Sequence, residues 1–268
     1  MTTADRWTRT MRERLGLGRL LPLGGARDGA WIAERAAREV LLDAARGVAG
    51  VRPGDLRVGL ADPEDTGEPA VPQPPGALPP GPLRVTADFT AVLGGVAAGA
   101  EPLPAAAGRL RAVLAEAATE RLGLTVTDVD LRATGLRDTG SGTDTDPGPE
   151  HDRDRDAGRE PREAGPRDEE EAARVDAVDR DGDEGRVATA ALGVAGVARL
   201  AGVLGRPVHL TESPAEGALP RRHVRVELAV AADHRAVEVA RRVRSAVSEA
   251  LPDHPSVAVV VTTVSWPA

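Results

Sequence analysis

The amino-acid sequence predicts an α/β fold of the α+β type: two small two-layer domains, each a mixed sheet with two helices, joined by an acidic linker. Two observations carry this prediction. An eight-residue segment occurs twice with seven identities, as AARGVAGV at residues 44–51 and as AALGVAGV at residues 190–197. Helix and strand patterns follow both copies in the same order, which indicates an internal duplication.

The acidic linker stands out by its charge. Residues 138–184 hold 18 acidic residues and 7 arginines, a balance of −11, whereas the rest of the chain carries +3. The segment has almost no large apolar side chains, so it cannot bury enough surface to offset its ordering entropy, and it is predicted to be disordered. The predicted boundaries are an N-terminal segment 1–22, a first domain 23–137, the linker 138–184 and a second domain 185–268.

Helical periodicity predicts two helices in each domain. Apolar residues recur every three or four positions over residues 33–46, 105–122 and 236–250, which places them on one helical face. Gly47 and Gly123 are expected to end the first two helices. The remaining helix ends in the second copy of the repeated segment and is short on its N-terminal side. Asp233 is expected to cap the last helix.

Alternating apolar residues predict the strands, at 56–60, 83–89, 124–133 and 224–230. A nearly continuous valine run at 257–264 predicts one more strand, either buried on both faces or lying at a dimer contact. The first domain also contains a proline-rich insertion at residues 63–82. Proline cannot continue a helix, so this stretch is expected to be extended and linker-like.

Composition excludes several classes of function. Cysteine is absent, which excludes disulfides, thiolate catalysis and Cys-ligated metal sites. All 34 basic residues are Arg, and Ile occurs once. Residues with A/T-rich codons are rare throughout, which indicates a high-G+C bacterial genome rather than selection of Arg for nucleic-acid binding. No stretch approaches the roughly 18 apolar residues of a membrane span, and no signal peptide is recognised, so a cytoplasmic location is expected.

Two segments of the first domain resemble the alkaline-shock protein family. They are IAERAAREVLLDAARGVAGV at residues 32–51 and GLTVTDVDLRA at residues 123–133. The first is similar to that family's Ile-Ala start and Ala-Ala-Arg-Glu-Val-x-Gly-Val end, and the second to its Gly-Leu-x-Val strand. The resemblance covers most of residues 24–137. It implies a non-enzymatic cytoplasmic protein of bacterial envelope stress, held at the inner membrane face by a membrane-anchored partner and prone to form homo-oligomers.

The expected function is therefore that of a non-catalytic interaction or scaffold protein associated with cell-envelope stress or homeostasis. The alternative is a small RNA-binding protein that uses the GxxG loops at residues 47–50 and 193–196, as KH-type domains do. The Val-Ala pairs inside these loops carry no positive charge. Nor do the domains have the basic stripe that phosphate binding needs, so no nucleic-acid partner is expected.

The N-terminal segment contains the candidate docking residues. Four-residue spacing puts its apolar side chains on one face of an amphipathic helix over residues 6–21, with arginines largely off that face. This pattern is typical of docking on an anionic membrane surface or in a partner groove. The candidate residues are Trp7, Met11 and Leu15 on the apolar face, with Arg6, Arg9 and Arg12 beside it.

No residues of the sequence have catalytic or metal-binding spacing. The five histidines form no HxxxH pair and have no Ser or Asp neighbours that suggest a triad. Asp152, Asp154 and Asp156 match part of a calcium loop, but Ala157 stands where such a loop requires glycine. The sequence therefore predicts no catalytic residue, no cofactor and no metal ligand.

Overall fold

A computed structural model of the protein describes residues 16–93, 102–138, 182–202, 206–213 and 221–266. The described helices are α1 (Glu34–Arg46), α2 (Leu103–Glu116), α3 (Asp183–Leu192) and α4 (Ala236–Ala250), and α2 continues as a π-helix over Ala117–Leu122. The strands are β1 (Leu20–Pro22), β2 (Ala30–Ala33), β3 (Val51–Leu60), β4 (Leu83–Leu93), β5 (Val126–Asp138), β6 (Val197–Leu200), β7 (Val208–Ser213), β8 (Arg221–Ala231) and β9 (Ser256–Ser265).

The strands form two mixed sheets. The first sheet has the order β3-β4-β5, with β3 antiparallel and β5 parallel to β4. The second sheet has the order β1-β2-β9-β8-β6, and β7 also pairs with β8. In it β9 is parallel to both β2 and β8, while the other pairs are antiparallel. Helices α1 and α2 pack against the first sheet, and α3 and α4 against the second. The predicted α+β class is confirmed.

The repeated sequence is matched by a repeated structure. In each copy a helix leads through a turn to an antiparallel strand pair, a second helix and a closing parallel strand. In the second copy β6 and β7 together take the place of β3, since both pair with β8. The glycines of the turn also agree. Gly47 and Gly193 end their helices with φ of −74° and −71°, and Gly50 and Gly196 have φ of +74° and +96°.

The two copies do not form separate lobes, contrary to the sequence prediction. Strand β2 belongs to the N-terminal half, yet it lies in the second sheet with Ala30 beside Val259 and Ile32 beside Val261. Buried apolar residues of both halves form one continuous core. A four-residue strand can satisfy its backbone only by joining a sheet, and β2 does so at the edge of β9. The central part of the predicted acidic linker lies outside the described residues.

The proline-rich insertion is a packed loop, not a linker-like spacer. It contains no helix, as predicted, but Val71 is buried within it. The Leu78 amide donates to the Leu20 carbonyl at 2.8 Å, and the indole Nε1 of Trp31 donates to the Leu78 carbonyl at 3.1 Å. The loop that joins β3 to β4 therefore covers the β1–β2 hairpin of the second sheet.

The predicted elements differ from the observed ones at several points. Strands β1, β2, β6 and β7 were not predicted. Asp233 does not cap α4, because the residue before that helix is Arg235 and the Asp233 carboxylate instead contacts His234 at 2.8 Å. The valine run forms β9, which lies between β2 and β8 and is buried on both faces. Of the two predicted alternatives, burial on both faces or a dimer contact, the structure shows the first.

Candidate interaction surface

The predicted docking residues Trp7, Met11, Leu15, Arg6, Arg9 and Arg12 lie outside the described residues. The predicted helix over residues 6–21 is nevertheless wrong in its last part. Gly16 and Gly18 have φ of +67° and +68°, and Leu20–Pro22 form β1. The backbone therefore leaves helical geometry before Leu20.

An open groove of about 740 Å³ lies between α1, β3 and the segment that precedes β1. Three ion pairs line it: Arg19–Glu34 at 3.4 Å, Arg35–Glu39 at 2.9 Å and Arg38–Asp55 at 3.1 Å. These charges neutralise one another pairwise rather than converging on one point. With Arg57, which also lines it, the groove has four arginines and three acidic residues, so it concentrates little charge of one sign.

Two histidines lie on the same face of the second sheet. His209 of β7 faces Arg225, and His223 of β8 faces Thr211. Burial lowers the pKa of both imidazoles, which favours their neutral form. Within the described ranges, no three His, Asp or Glu side chains are grouped so as to hold a metal ion.

The two GxxG loops pack against the second helix of their own copy. In the first loop the Ala49 carbonyl accepts a hydrogen bond from Nη2 of Arg109, in α2, at 3.1 Å. In the second, a Cβ on Gly196 would lie 2.6 Å from Cγ2 of Val239, in α4. Both loops are helix-to-strand turns fixed by these contacts, and KH-type recognition requires a loop that clamps a nucleic-acid backbone.

The closing strands of the two sheets correspond residue by residue from Asp128 in β5 and Ser256 in β9 onward. In the first sheet the register shifts between Phe89 and Thr90, and Oγ1 of Thr134 donates to the Phe89 carbonyl at 3.2 Å. In the second the register shifts just after Leu228, and Oγ1 of Thr262 donates to the Leu228 carbonyl at 3.2 Å. The same bulge, with the same threonine, therefore aligns β5 with β9.

This alignment reveals a difference at the sheet edges. On β9, the Val259 amide donates to the Gly29 carbonyl at 3.0 Å, because β2 lies beside it. The counterpart of Val259 on β5 is Leu131. Among the described residues β5 pairs only with β4, so the Leu131 amide faces an edge that no described strand covers. An open strand edge is a template for pairing with another chain.

The side chains near this edge are also more exposed than their counterparts. Leu136 is 63% exposed, whereas Val264, at the corresponding position of β9, is 7% exposed. On the solvent face, Arg84 of β4 contacts Asp128 at 3.7 Å and Asp130 at 3.5 Å. The edge of β5 thus combines backbone groups that no described strand pairs with, an exposed apolar side chain and charges of both signs. We call this the β5 edge.

Sequence reasoning predicted the strand but not its exposure. The alternating pattern at 124–133 is that of a half-buried strand, whichever position it takes in a sheet. A comparison of the sequences of the two copies does indicate that this strand is exposed. Residues 128–137 contain Asp128, Asp130, Arg132 and Arg137, whereas their counterparts at 256–265 contain no charged residue. Charged residues in the first copy alone are typical of an edge strand.

Fold and surface together define an α+β tandem-repeat protein in which the long edge strand β5 has no neighbour on one side among the described strands. None of the described helices is long and apolar enough to cross a membrane. No protein-family model and no curated protein matches the chain.

Proposed function

We propose that this chain is a non-catalytic interaction protein that binds protein partners by strand addition at the β5 edge. In this mode an extended segment joins an exposed sheet edge, backbone hydrogen bonds supply affinity and side chains supply specificity. The observation that carries the proposal is the contrast between the two copies. The edge of β9 holds β2, while the equivalent β5 edge has no described neighbour.

The resemblance to the alkaline-shock protein family supports a more specific role for this interaction protein. We propose that it acts in cell-envelope stress or homeostasis, in the cytoplasm and peripheral to the inner membrane face, through a membrane-anchored partner. RNA binding through the GxxG loops is the competing function. The contacts of Ala49 and Gly196 with their own helices favour a structural role for those loops.

The test of this function compares two substitutions at one position. Leu131→Pro removes the edge-facing amide. The hydrogen bonds between β5 and β4 do not use that amide, because the amide of its counterpart Val259 points away from β8 and donates to Gly29. Leu131→Ala keeps the amide and shortens the side chain. Each variant is used as bait in affinity purification from the native cells, after its unfolding midpoint has been measured.

We expect the unmodified chain and Leu131→Ala to retain the same partner proteins, and Leu131→Pro to lose them. Equal recovery with all three baits contradicts strand addition. Salt-dependent retention of RNA by all three favours the competing function. Deletion of residues 1–15 tests the predicted N-terminal docking segment separately, because it leaves β1 intact.

A further inference from the structure

We propose that the β5 edge pairs with the β5 edge of a second copy of the chain, antiparallel and centred on Leu131. This inference rests on the proposed function, since it names the partner of the same surface. A twofold axis at the edge of a sheet makes the two copies of one strand antiparallel, and such a contact is closed. The result is a dimer with one continuous six-stranded sheet.

The other sheet edges among the described residues are poorer templates. Strand β1 has three residues. Strand β3 contains Pro53, and its register shifts between Pro53 and Leu56. The edge made by β6 and β7 is interrupted between Leu200 and Val208. Strand β5, with 13 residues, is the longest strand described. Its bulge at Thr134 lies beyond residues 129–133, which a pairing centred on Leu131 uses, just as β2 pairs with β9 only up to Val261, before the bulge at Thr262.

Backbone geometry places the centre of the pairing at Leu131. The N–H and C=O of one residue point to the same side of a strand, so both groups of Leu131 face the open edge. In an antiparallel pair such a residue exchanges two N–H···O bonds with the residue opposite. With the axis at Leu131, each Leu131 amide donates to the Leu131 carbonyl of the other copy, and the two side chains meet on the helix-covered face.

Charge complementarity supports this register. Asp130 precedes Leu131 and Arg132 follows it, so antiparallel pairing places Asp130 of one copy opposite Arg132 of the other, twice. Opposite charges at facing positions stabilise a strand pair, and like charges destabilise it. Parallel pairing of two β5 strands in register would instead place each charge beside its own kind. The sequence of the edge is therefore self-complementary only in the antiparallel direction.

One side chain already contacts this edge. Nε of Arg111, in α2, donates to the Val129 carbonyl at 3.1 Å. In the proposed register that carbonyl also faces the Ala133 amide of the second copy. A carbonyl oxygen has two lone pairs and can accept both bonds. The contact thus limits access to one group of the edge and leaves the groups of Leu131 available.

Cross-linking tests the proposal directly, because the chain contains no cysteine. In the proposed dimer the Cα atoms of the two Leu131 residues are about 5.5 Å apart, within disulfide range. We therefore expect Leu131→Cys to give a disulfide-linked dimer on mild oxidation. The matched control is Arg57→Cys on β3, the opposite edge of the same sheet. Its two copies would lie about 24 Å apart, five strand spacings of ~4.8 Å.

Light scattering supplies the independent measurement. We expect the unmodified chain and Leu131→Ala to be dimers and Leu131→Pro to be a monomer. Asp130→Arg should weaken the dimer on the order of tenfold, and adding Arg132→Asp to the same chain should restore it, because each reversed charge again faces its opposite. Within one chain Asp130 also contacts Arg84 and Arg132 lies opposite Asp88, so the unfolding midpoint of each variant is the control. Restoration of the dimer without a matching recovery of the midpoint is specific to the register.

The outcomes separate this inference from the proposed function. A monomer at every concentration tested, or equal cross-linking of Leu131→Cys and Arg57→Cys, overturns the self-pairing. So does a dimer that persists in Leu131→Pro. If a monomeric chain still loses its partner proteins in Leu131→Pro, the strand-addition function stands and only the identity of the partner is wrong.

Discussion

At the scale of single residues, Gly123 joins the two copies of the repeat. It ends the π-helical extension of α2 with φ of +86°, and its carbonyl accepts a hydrogen bond from the Gly24 amide at 3.0 Å. A Cβ at this position would lie 2.6 Å from Cβ of Val237, in α4 of the second copy. Only glycine combines this backbone conformation with so close a contact.

Substitution of two glycines in the same helical segment tests this role. Gly123→Ala should lower the free energy of unfolding by about 3 kcal/mol, through left-handed strain and overpacking. Gly108→Ala, inside α2 with no heavy atom within 4 Å, should raise it by about 0.5–1 kcal/mol. Urea unfolding of both variants measures the two effects. If Gly123→Ala lowers the free energy of unfolding by no more than about 0.3 kcal/mol, the packing argument is contradicted.

At the scale of elements, a forked ion pair links the β1–β2 hairpin to α4, where Arg244 also donates to the Arg27 carbonyl. Nε and Nη2 of Arg241 donate to Oδ1 and Oδ2 of Asp28 at 2.8 and 3.0 Å, and the Gly25 amide also donates to Oδ2. The hydrogen bond from Arg241 is the main reason that the pKa of Asp28 lies below its ordinary value of 3.8. The hairpin and α4 belong to different copies, so this contact also links the copies.

Neutralising Asp28 tests that link. Asp28→Asn should lower the free energy of unfolding at pH 7 by about 1 kcal/mol, whereas Glu39→Gln, in the exposed pair with Arg35, should cost less than about 0.5 kcal/mol. Because the folded pKa of Asp28 is lowered, its stabilisation is complete above pH 3.8 and is lost as pH falls through the folded value. The gap between wild type and Asp28→Asn in urea unfolding should therefore close in acid. A gap that stays constant would exclude the ion pair as its cause.

The elements predicted from sequence are those with enough residues to show a period. Helices α1, α2 and α4 each span at least three turns, so the helical period of their apolar residues can be recognised in the sequence. Strand β2 has four residues, all buried, and a run this short has no distinguishable period. Its pairing with β9 joins residues more than two hundred positions apart. That contact depends on the position of the whole second sheet, which no local pattern encodes.

The same limit applies to the candidate surface. The predicted interaction site rested on the N-terminal apolar stripe, because amphipathic periodicity is a local signal. The β5 edge is instead defined by the absence of a described neighbour on one side of a strand, a property of sheet order. Leu131 has the same sequence environment whether or not a strand lies beside it. Only the alignment of Thr134 with Thr262 identifies it as the counterpart of a covered residue.

At the scale of the whole molecule, one core implies one unfolding transition. Strand β2 lies in the second sheet and runs directly into α1, which packs on the first, so neither sheet can lose its contacts without exposing the other. Native-state hydrogen exchange should give amides of β4 and β8 the same free energy of opening. Asp28→Asn should lower both values equally. If Asp28→Asn lowers the protection of amides in β8 and leaves that of amides in β4 unchanged, the two sheets unfold separately. In that case β2 completes the sheet of an independent second domain without coupling it to the first sheet.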